Sequence, residues 1–423
     1  PETIPPVVIL PGIMGSALQR PDGTRVWLNV RNAIGQYNLS LPLRVPLSES
    51  RDDLSPGSLL GTEHLVPRLF GFTEYYDLLG LLESFGCREA TRAEGPGLVH
   101  QVCAYDWRRD IVESARRLDA TLDALAELRG DRHTRFNLVG HSMGGLIARY
   151  YLRYGTVEPR EGAPVTWAGA RRIANLILVA TPNAGGMHAL EGLLLGNRVG
   201  LSYTTLSNAV VARMPAVYQL LPPKGAPTLL EPSGEPVDPD LHDIQTWKDF
   251  QWGPFAPAAA ARAFELKEPD DEVPFPEFLE AALDRARLIH HALSCAPSSR
   301  CPSRVVVLGG DCLPTLARGV LGDKPGTPPR FEPLHRGEAA RMFDAGDGRV
   351  TRASVLGRHL PEADAEVGAG YHEVTQAVFG HTDHHGIYGD PTFQSLLLRR
   401  LLRPAAPEAN GDGLPVAARA QAS

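Results

Sequence analysis

Residues 137–145 read Asn-Leu-Val-Gly-His-Ser-Met-Gly-Gly, and this stretch decides the fold. The apolar residues from Phe136 to Val139 predict a buried strand, and apolar residues recur at helical spacing from Leu146 to Tyr154. A serine held between a strand and a helix sits on a strained turn that lifts its hydroxyl above the sheet, and the flanking glycines leave room for that turn. Ser142 is therefore a candidate nucleophile for acyl chemistry, although a serine in an ordinary turn gives the same short pattern.

The composition favours a large globular protein and excludes several classes of function. The chain has 423 residues, 43% of them hydrophobic, which suits one large α/β domain with insertions or two domains. Its formal net charge is −7 with acids and bases interspersed, so we expect no nucleic-acid partner. We see neither an apolar run of membrane-spanning length nor a secretory leader at the start, and the compartment is left open.

The cysteines are too few, and odd in number, for a disulfide scaffold. Cys295 and Cys301 are close enough in sequence to close a small loop in an oxidising compartment. Cys103 falls in an apolar run and is predicted to lie in the core. We find no C-x-x-C spacing of a metal or redox site. The full set is Cys87, Cys103, Cys295, Cys301 and Cys312.

Strands and helices are predicted to alternate on both sides of Ser142. Each predicted strand is almost entirely apolar, which favours a parallel sheet covered by helices on both faces. The predicted strands are Pro5 to Leu10, Leu98 to Tyr105, Phe136 to Val139, Ile173 to Ala180 and Arg304 to Gly309. The predicted helices are Glu74 to Phe85, Arg109 to Leu128, about Pro276 to Leu293, and one that follows Pro391.

Insertions interrupt this alternation. Residues 1–185 and 301–403 are assigned to the α/β core, with a loop-rich insertion at 20–72. Residues 186–300 break the rhythm with a proline-rich stretch, and we interpret them as a cap over the core, with peripheral helices as the alternative. Residues 404–423 are rich in alanine, proline and glycine and are predicted to form a disordered tail.

Two aspartates downstream of Ser142 are candidates for the acid of a catalytic triad. In α/β hydrolases the order along the chain is serine, then acid, then histidine. Asp347 stands between two glycines, in a tight loop that can present a carboxylate at a strand end. Asp311 follows the strand at 304–309 and is the competitor. An aspartate beside glycine is also a common solvated turn residue, but we favour Asp347 as the acid.

Three histidines compete for the role of base. They lie in the loop before the last predicted helix, where a catalytic histidine often sits. We favour His384, then His385, then His381. The same cluster of histidines and aspartates is compatible with a divalent metal, but the ligand geometry is not set by a helical i, i+4 spacing, and we expect no metal.

Backbone N–H groups are expected to hold the oxyanion. One donor should be the residue after the nucleophile, Met143, and the other should come from the loop after the first strand, where Ile13 is the best placed. Gly12 and Gly15 leave that loop room to approach a substrate.

Four segments together resemble the lecithin:cholesterol acyltransferase-like lipases, a family of α/β hydrolases that includes the lysosomal phospholipase. Tyr-Asp-Trp-Arg at 105–108 is much more specific than the G-x-S-x-G pattern, and the order and rough spacing of the segments agree over about residues 5–402. The segments are Val7 to Ser16, Ala104 to Arg109, Gly140 to Gly144, and Gly346 to Val350 with a later histidine.

The resemblance implies an α/β-hydrolase core with a cap and a membrane-facing insertion, acting on ester bonds of lipids. It maps the nucleophile to Ser142, the acid to Asp347, and the oxyanion donors to Ile13 and Met143. The family's histidine has an aliphatic residue three positions later, which fits His384.

The chain departs from the family at two places. Arg349 stands where the family usually has threonine, and residues 27–60 contain no cysteine, whereas the animal enzymes have a disulfide-pinned lid there. Trp107 and Asn183 are expected near the substrate, although Trp107 and Arg108 could equally be packing residues.

The sequence thus predicts a serine hydrolase or acyltransferase that acts on lipid esters through an acyl-enzyme and needs no cofactor. Alternatives are an esterase for triacylglycerol or polyester and a catalytically silent lipid-binding protein. The expected partners are a lipid or another hydrophobic ester and, transiently, a membrane interface. The aromatic cluster at 247–255 either packs the cap or forms an interfacial patch. The oligomeric state stays open.

Overall fold

A computed structural model describes most of the chain. The predicted tail at 404–423 and parts of the 20–72 insertion lie outside the described residues. Those residues are 4–28, 39–60, 74–90, 98–198, 205–225, 227–262, 264, 268–357 and 373–402.

A seven-stranded parallel sheet forms the centre of the described structure. The strand order is β7-β6-β5-β4-β1-β3-β2, so the connections reverse direction between β4 and β1. Open α/β sheets hold their sites at such a reversal, outside the carboxyl ends of the strands. The strands are β1 Val7–Leu10, β2 Arg88–Glu89, β3 Val99–Val102, β4 Phe136–His141, β5 Ile173–Val179, β6 Arg304–Gly310 and β7 Val374–Gly380.

The predicted α/β architecture is confirmed, and five strands coincide with the predicted apolar runs. β2 and β7, which form the two edges of the sheet, were not predicted from the sequence. β7 is only partly buried and alternates between more and less exposed residues. An edge strand is covered less completely than a central strand, and it therefore lacks a continuous apolar run.

Helices cover both faces of the sheet. The longer ones are α1 Glu74–Ser84, α2 Ile111–Leu128, α3 Met143–Tyr154, α4 Met187–Leu195, α5 Phe275–Ser294 and α6 Pro391–Leu401. α1 and α6 pack on the face that includes Val7 and Ile9, whereas α2 and α3 pack on the face that includes Val8 and Leu10. Because successive side chains of a strand point to opposite faces, burial on both faces requires apolar residues throughout.

The helix predicted from Arg109 begins two residues later, at Ile111. Asp110 is its N-cap, and the Asp110 carboxylate accepts the backbone N–H of Val112 at 2.7 Å. A side-chain acceptor at this position satisfies one of the N–H groups that the first turn leaves without a helical partner.

Short elements complete the described structure. Small sheets pair Ser16–Gln19 with Arg25–Trp27 and Ser55–Leu59, Asn197–Arg198 with Thr205–Leu206, and Leu313–Leu316 with Phe343–Gly346. Short helical segments are Leu47–Glu49, Ala168–Arg172, Asn208–Val211, Pro215–Tyr218, Ile244–Asp249, Gly253–Phe255, Ala258–Ala261, Arg336–Met342, Arg352–Val355 and Ile387–Gly389.

The described part of residues 186–300, which we predicted to form a cap, contains helices and short strands, and one of these strands pairs with residues beyond 300. Within it, Leu229–Leu230 pairs with Pro236–Val237, and also with Gly319–Val320 from beyond the boundary. Trp247 and Trp252 are each 2% exposed and meet edge to face at 6.1 Å between ring centroids. Their burial favours packing of the cap over an interfacial patch.

A disulfide between Cys295 and Cys301 is absent from the described structure, where both residues carry free thiols. That possibility was conditional on an oxidising compartment, and sequence proximity alone does not bring two sulfurs to bonding geometry. Burial raises the pKa of the Cys301 thiol to about 11, so this thiol stays protonated at neutral pH.

Within the described ranges, no helix has the length and apolar character needed to cross a membrane. The same residues contain no group of three or more histidine, cysteine or acidic side chains arranged to hold a metal ion.

Candidate active site

Ser142 occupies the strained turn that the sequence predicted between β4 and α3. Its backbone angles are φ 50° and ψ −124°, a region that residues with a side chain rarely adopt. Such a conformation costs about 1–3 kcal/mol and persists only when its surroundings enforce it. The Ser142 N–H donates to the Val179 carbonyl at 2.8 Å, which ties the turn to the end of β5.

The glycines around Ser142 are required by close packing. A Cβ on Gly144 would lie 2.5 Å from the Leu10 carbonyl oxygen, at the end of β1. A Cβ on Gly140 would lie 2.7 Å from the Cα of Gly145. Since both contacts are with backbone atoms, a side chain at either position would push α3 away from the sheet.

Asp347 and His384 meet at the same end of the sheet. Asp347 follows the strand Phe343–Gly346, and His384 follows β7. The Nδ1 atom of His384 lies 2.9 Å from Oδ2 of Asp347, and the His384 backbone N–H donates to the Asp347 carbonyl at 2.9 Å. Both side chains are buried. Two separate bonds therefore fix the histidine against the aspartate.

The carboxylate of Asp347 is held in its charged form. Burial alone would raise its pKa, but the neighbouring His384 and two backbone N–H groups keep that pKa below its usual value. The N–H groups are those of Arg349 at 2.9 Å and Val350 at 2.7 Å, and both donate to Oδ1.

The competing residues occupy different surroundings. Asp311 forms an ion pair with Arg352 at 3.0 Å. The ring of His385 meets the ring of His384 edge to face, with 5.3 Å between centroids. His381 is exposed. Of the three histidines, His384 is the one that contacts Asp347.

The loop after β1 approaches Ser142 closely. A Cβ on Gly12 would lie 3.0 Å from the Cβ of Ser142. The loop is a tight turn closed by a hydrogen bond from Gly15 N–H to the Gly12 carbonyl at 3.1 Å, with Ile13 inside it. Met143 is the first residue of α3, so its N–H has no carbonyl partner within the helix. Both predicted oxyanion donors thus belong to segments that flank Ser142.

Trp107 and Asn183, which we expected near the substrate, are both buried with partners inside the protein. Trp107 packs edge-on against Trp27 at 5.4 Å, and its indole N–H donates to the Ser16 carbonyl at 3.1 Å. The Asn183 amide donates to the Val355 carbonyl at 2.8 Å. These contacts hold both side chains inside the protein, and their place near the substrate stays a prediction.

Arg108 of the Tyr-Asp-Trp-Arg segment is fully buried between two carboxylates. It donates to Asp52 at 2.6 and 2.8 Å and to Asp106 at 2.7 and 2.9 Å. Asp52 belongs to the 20–72 insertion. Its ion pair with Arg108 therefore holds part of that insertion on the core.

A buried ion network beside α3 was not predicted from the sequence. Glu373, just before β7, accepts from Arg149 at 2.7 Å and from Arg153 at 2.9 Å, and all three side chains are almost completely buried. Arg149 and Arg153 lie one turn apart on α3, and an exposed face was the ordinary expectation for such residues. Their place in a helix that is otherwise apolar was the only sequence signal.

Residues 73–257 match the family model described as lecithin:cholesterol acyltransferase. The resemblance to that family is confirmed over this stretch. The lecithin:cholesterol acyltransferase match runs from the start of α1 into the cap and contains Ser142 and Met143, whereas Ile13, Asp347 and His384 lie outside it. Such a match supports an enzyme that acts on lipid esters. No curated protein matches the chain.

Several solved structures match the chain at low sequence identity, and one of them, with a TM-score above 0.5, shares the fold. The crystal structure of the Tle4–Tli4 complex matches with a TM-score of 0.59 and 16% identity, over 94% of this chain and 97% of that chain. Lipase 1 from Pelosinus fermentans matches with a TM-score of 0.38 and 13% identity, over 95% of this chain and 99% of that chain. EstA from Clostridium botulinum matches with a TM-score of 0.38 and 15% identity, over 96% of this chain and 89% of that chain. The central sheet and its turn at Ser142 are those of an α/β-hydrolase fold, as predicted.

Proposed function

We propose that this protein is a serine enzyme that cleaves or transfers the acyl group of lipid esters, with Ser142, His384 and Asp347 as its triad. The observation that carries the proposal is the bond of 2.9 Å between His384 Nδ1 and the buried Asp347 carboxylate. This pair lies at the end of the sheet where the strained turn carries Ser142. The match to the lecithin:cholesterol acyltransferase family supports lipid esters as substrates.

In the proposed reaction His384 is the general base. Its Nε2 takes the hydroxyl proton of Ser142 while Oγ attacks the ester carbonyl. The carbonyl oxygen becomes an oxyanion, held by the N–H groups of Met143 and Ile13. As the tetrahedral intermediate collapses, the ester C–O bond breaks and protonated His384 gives its proton to the leaving alcohol.

The acyl-enzyme is then resolved by the same groups. His384 takes a proton from the incoming water or alcohol, whose oxygen attacks the acyl carbon, and the proton returns to Ser142 Oγ as that bond breaks. Water gives hydrolysis and an alcohol gives acyl transfer. No cofactor is required in either case.

Asp347 fixes the tautomer of the base. Because its carboxylate only accepts hydrogen bonds, the bond to His384 requires a proton on Nδ1 and leaves Nε2 free to act on Ser142. A carboxylate with a lowered pKa also stabilises the imidazolium that forms during attack.

Turnover of p-nitrophenyl esters with short and long acyl chains tests the proposal. We expect a burst followed by steady turnover in the wild type, loss of both in Ser142→Ala and His384→Ala, and near-wild-type turnover in His385→Ala. A preference for long chains would support a lipase, and a preference for short chains a simple esterase. Absence of burst and turnover with every ester would overturn the proposal.

A further inference from the structure

A chain of hydrogen bonds connects the oxyanion loop to the catalytic histidine through two buried side chains. Gly12 N–H donates to the Tyr75 hydroxyl at 2.7 Å, and that hydroxyl lies 2.8 Å from His141 Nδ1. On the other side of the ring, His141 Nε2 lies 3.2 Å from the His384 carbonyl oxygen. This series of hydrogen bonds therefore begins at Gly12, beside Ile13, passes through His141, the residue before Ser142, and ends on the backbone of His384.

The direction of each bond follows from the atoms involved. A carbonyl oxygen can only accept, so Nε2 of His141 carries the proton toward His384. Burial, with the nearby His384 and His385, holds the pKa of His141 well below its usual value, so the ring is neutral and Nδ1 is an acceptor. The Tyr75 hydroxyl then donates to Nδ1 and accepts from Gly12. Every donor in the chain has an acceptor.

The rings in this chain are held by contact as well as by hydrogen bonds. Tyr75 meets His141 edge to face at 5.6 Å between centroids, and the His141 ring lies 4.9 Å from that of His384 and 5.7 Å from that of Tyr388. Tyr75 is 1% exposed and His141 2%. A loss of one bond cannot be compensated by solvent at such depth.

The Gly12 bond bears directly on the oxyanion donor. The Gly12 carbonyl points into the turn, where it accepts from Gly15 N–H. In a trans peptide the carbonyl and the following N–H point in opposite directions, so Ile13 N–H points out of the turn. Holding Gly12 through Tyr75 therefore fixes the orientation of the proposed donor.

We propose that Tyr75 and His141 are positioning residues that set the oxyanion loop and the backbone of His384 in register around Ser142. This inference rests on the proposed function. It assigns a role in the reaction to a tyrosine on α1. This helix contains none of the three triad residues and is distant from them in sequence.

Tyr75→Phe removes the hydroxyl and keeps the ring. We expect kcat per active site to fall by about 10–100-fold, because misplacement of a reacting group by about 1 Å can cost about 10²-fold, while KM changes little. Active sites are counted by titration with a serine-directed phosphonate. The affinity for an alkyl boronic acid, which forms a tetrahedral adduct on the serine, should fall in parallel with kcat.

Tyr218→Phe is the matched control. Tyr218 is as deeply buried as Tyr75 and donates one hydrogen bond, to the Ala212 carbonyl at 2.7 Å, in the cap. A hydroxyl that only supports folding would lower the number of titrated sites and leave kcat per site and boronate affinity unchanged. We expect that pattern for Tyr218→Phe and not for Tyr75→Phe.

His141→Gln tests whether the two residues act together, since glutamine keeps an N–H near Nε2 and loses the Nδ1 acceptor. We expect the double variant with Tyr75→Phe to be barely slower than the worse single variant, because both interrupt one chain of bonds. Wild-type kcat per site and boronate affinity in Tyr75→Phe would overturn the inference. A wild type that neither turns over esters nor binds phosphonate would instead overturn the proposed function.

Discussion

Two buried carboxylates in this molecule have similar surroundings but different partners. Asp347 at the carboxyl end of the sheet and Glu373 at the start of β7 both have side chains that are 0% exposed. Burial would raise the pKa of each, and basic partners and hydrogen bonds hold each below its usual value. Asp347 faces a histidine, whereas Glu373 faces Arg149 and Arg153.

The partner decides what each carboxylate can do. A histidine can gain and lose a proton near neutral pH, so the charge beside Asp347 can change during a reaction. Arginine keeps its charge at any pH a protein encounters, so the Glu373 network is fixed. That network joins α3 to β7 and, through Arg149, to the Leu293 carbonyl near the end of α5. We therefore assign chemistry to Asp347 and structural support to Glu373.

The largest expected effect is that of Asp347→Asn. The amide keeps the shape but cannot hold His384 in the required tautomer, so we expect kcat to fall by about 10⁴-fold, with a smaller loss of melting temperature than in Glu373→Gln. Ester turnover and thermal unfolding measure the two quantities. Asp311→Asn is the control and should keep wild-type kcat. Equal losses in both variants would contradict the assignment of the acid.

Glu373→Gln should produce the reverse pattern. It removes the carboxylate that faces two buried arginines, and breaking a buried ion pair from one side typically costs about 3–5 kcal/mol. Denaturant unfolding measures this loss in the free energy of unfolding, while kcat per titrated site should stay near that of the wild type. A stable variant with a large loss of kcat would indicate a catalytic role for Glu373 and contradict the distinction between the two carboxylates.

Acid should lower the free energy of unfolding of the wild type, partly through the carboxylates of Asp347 and Glu373. A lowered pKa means that each carboxylate stabilises the fold fully above its unfolded pKa and loses that contribution as pH falls through the folded value. With reference values of 3.8 and 4.5, the loss belongs to the range below about pH 5. Glu373→Gln has already lost its share, so its unfolding free energy should fall less on acidification. A parallel fall in both proteins would contradict this account.

The smallest expected effect is that of Glu338→Gln. Glu338 pairs with Arg330 at 2.7 Å, and this pairing and the Leu334 N–H lower its pKa to about 2, yet the pair lies near solvent. Solvent screening reduces the value of such pairs, and we expect a loss of less than about 1 kcal/mol. The comparison with Glu373→Gln, in the same unfolding assay, separates burial from pairing. Equal losses would show that burial is not the deciding factor.

The sequence predicted the central strands because each is buried on both faces and is therefore apolar throughout. It did not predict β2 and β7, whose edge positions leave them partly exposed. The four predicted helices begin within about two residues of their predicted starts, and Asp110 marks where α2 begins. The local sequence pattern thus predicts the elements that are buried along their whole length.

The site was predicted as far as chain order and turn chemistry could reach. Those signals favoured Ser142, Asp347 and His384, and the structure brings Asp347 and His384 into contact. They did not reveal Tyr75 or Glu373, because the partners of both are distant in sequence. The one sequence signal for Tyr75 was its place on the buried face of α1, since a buried hydroxyl needs a hydrogen-bond partner.

The central claim is that Ser142 is an activated nucleophile, and covalent labelling tests it most directly. A fluorophosphonate probe, followed by peptide mass spectrometry, should give one adduct on the peptide that contains Ser142, and Ser142→Ala should give none. Asp347→Asn should be labelled far more slowly than wild type, whereas Glu373→Gln should be labelled at close to the wild-type rate per folded molecule. An unlabelled wild type, or an adduct on a different serine, would contradict the account.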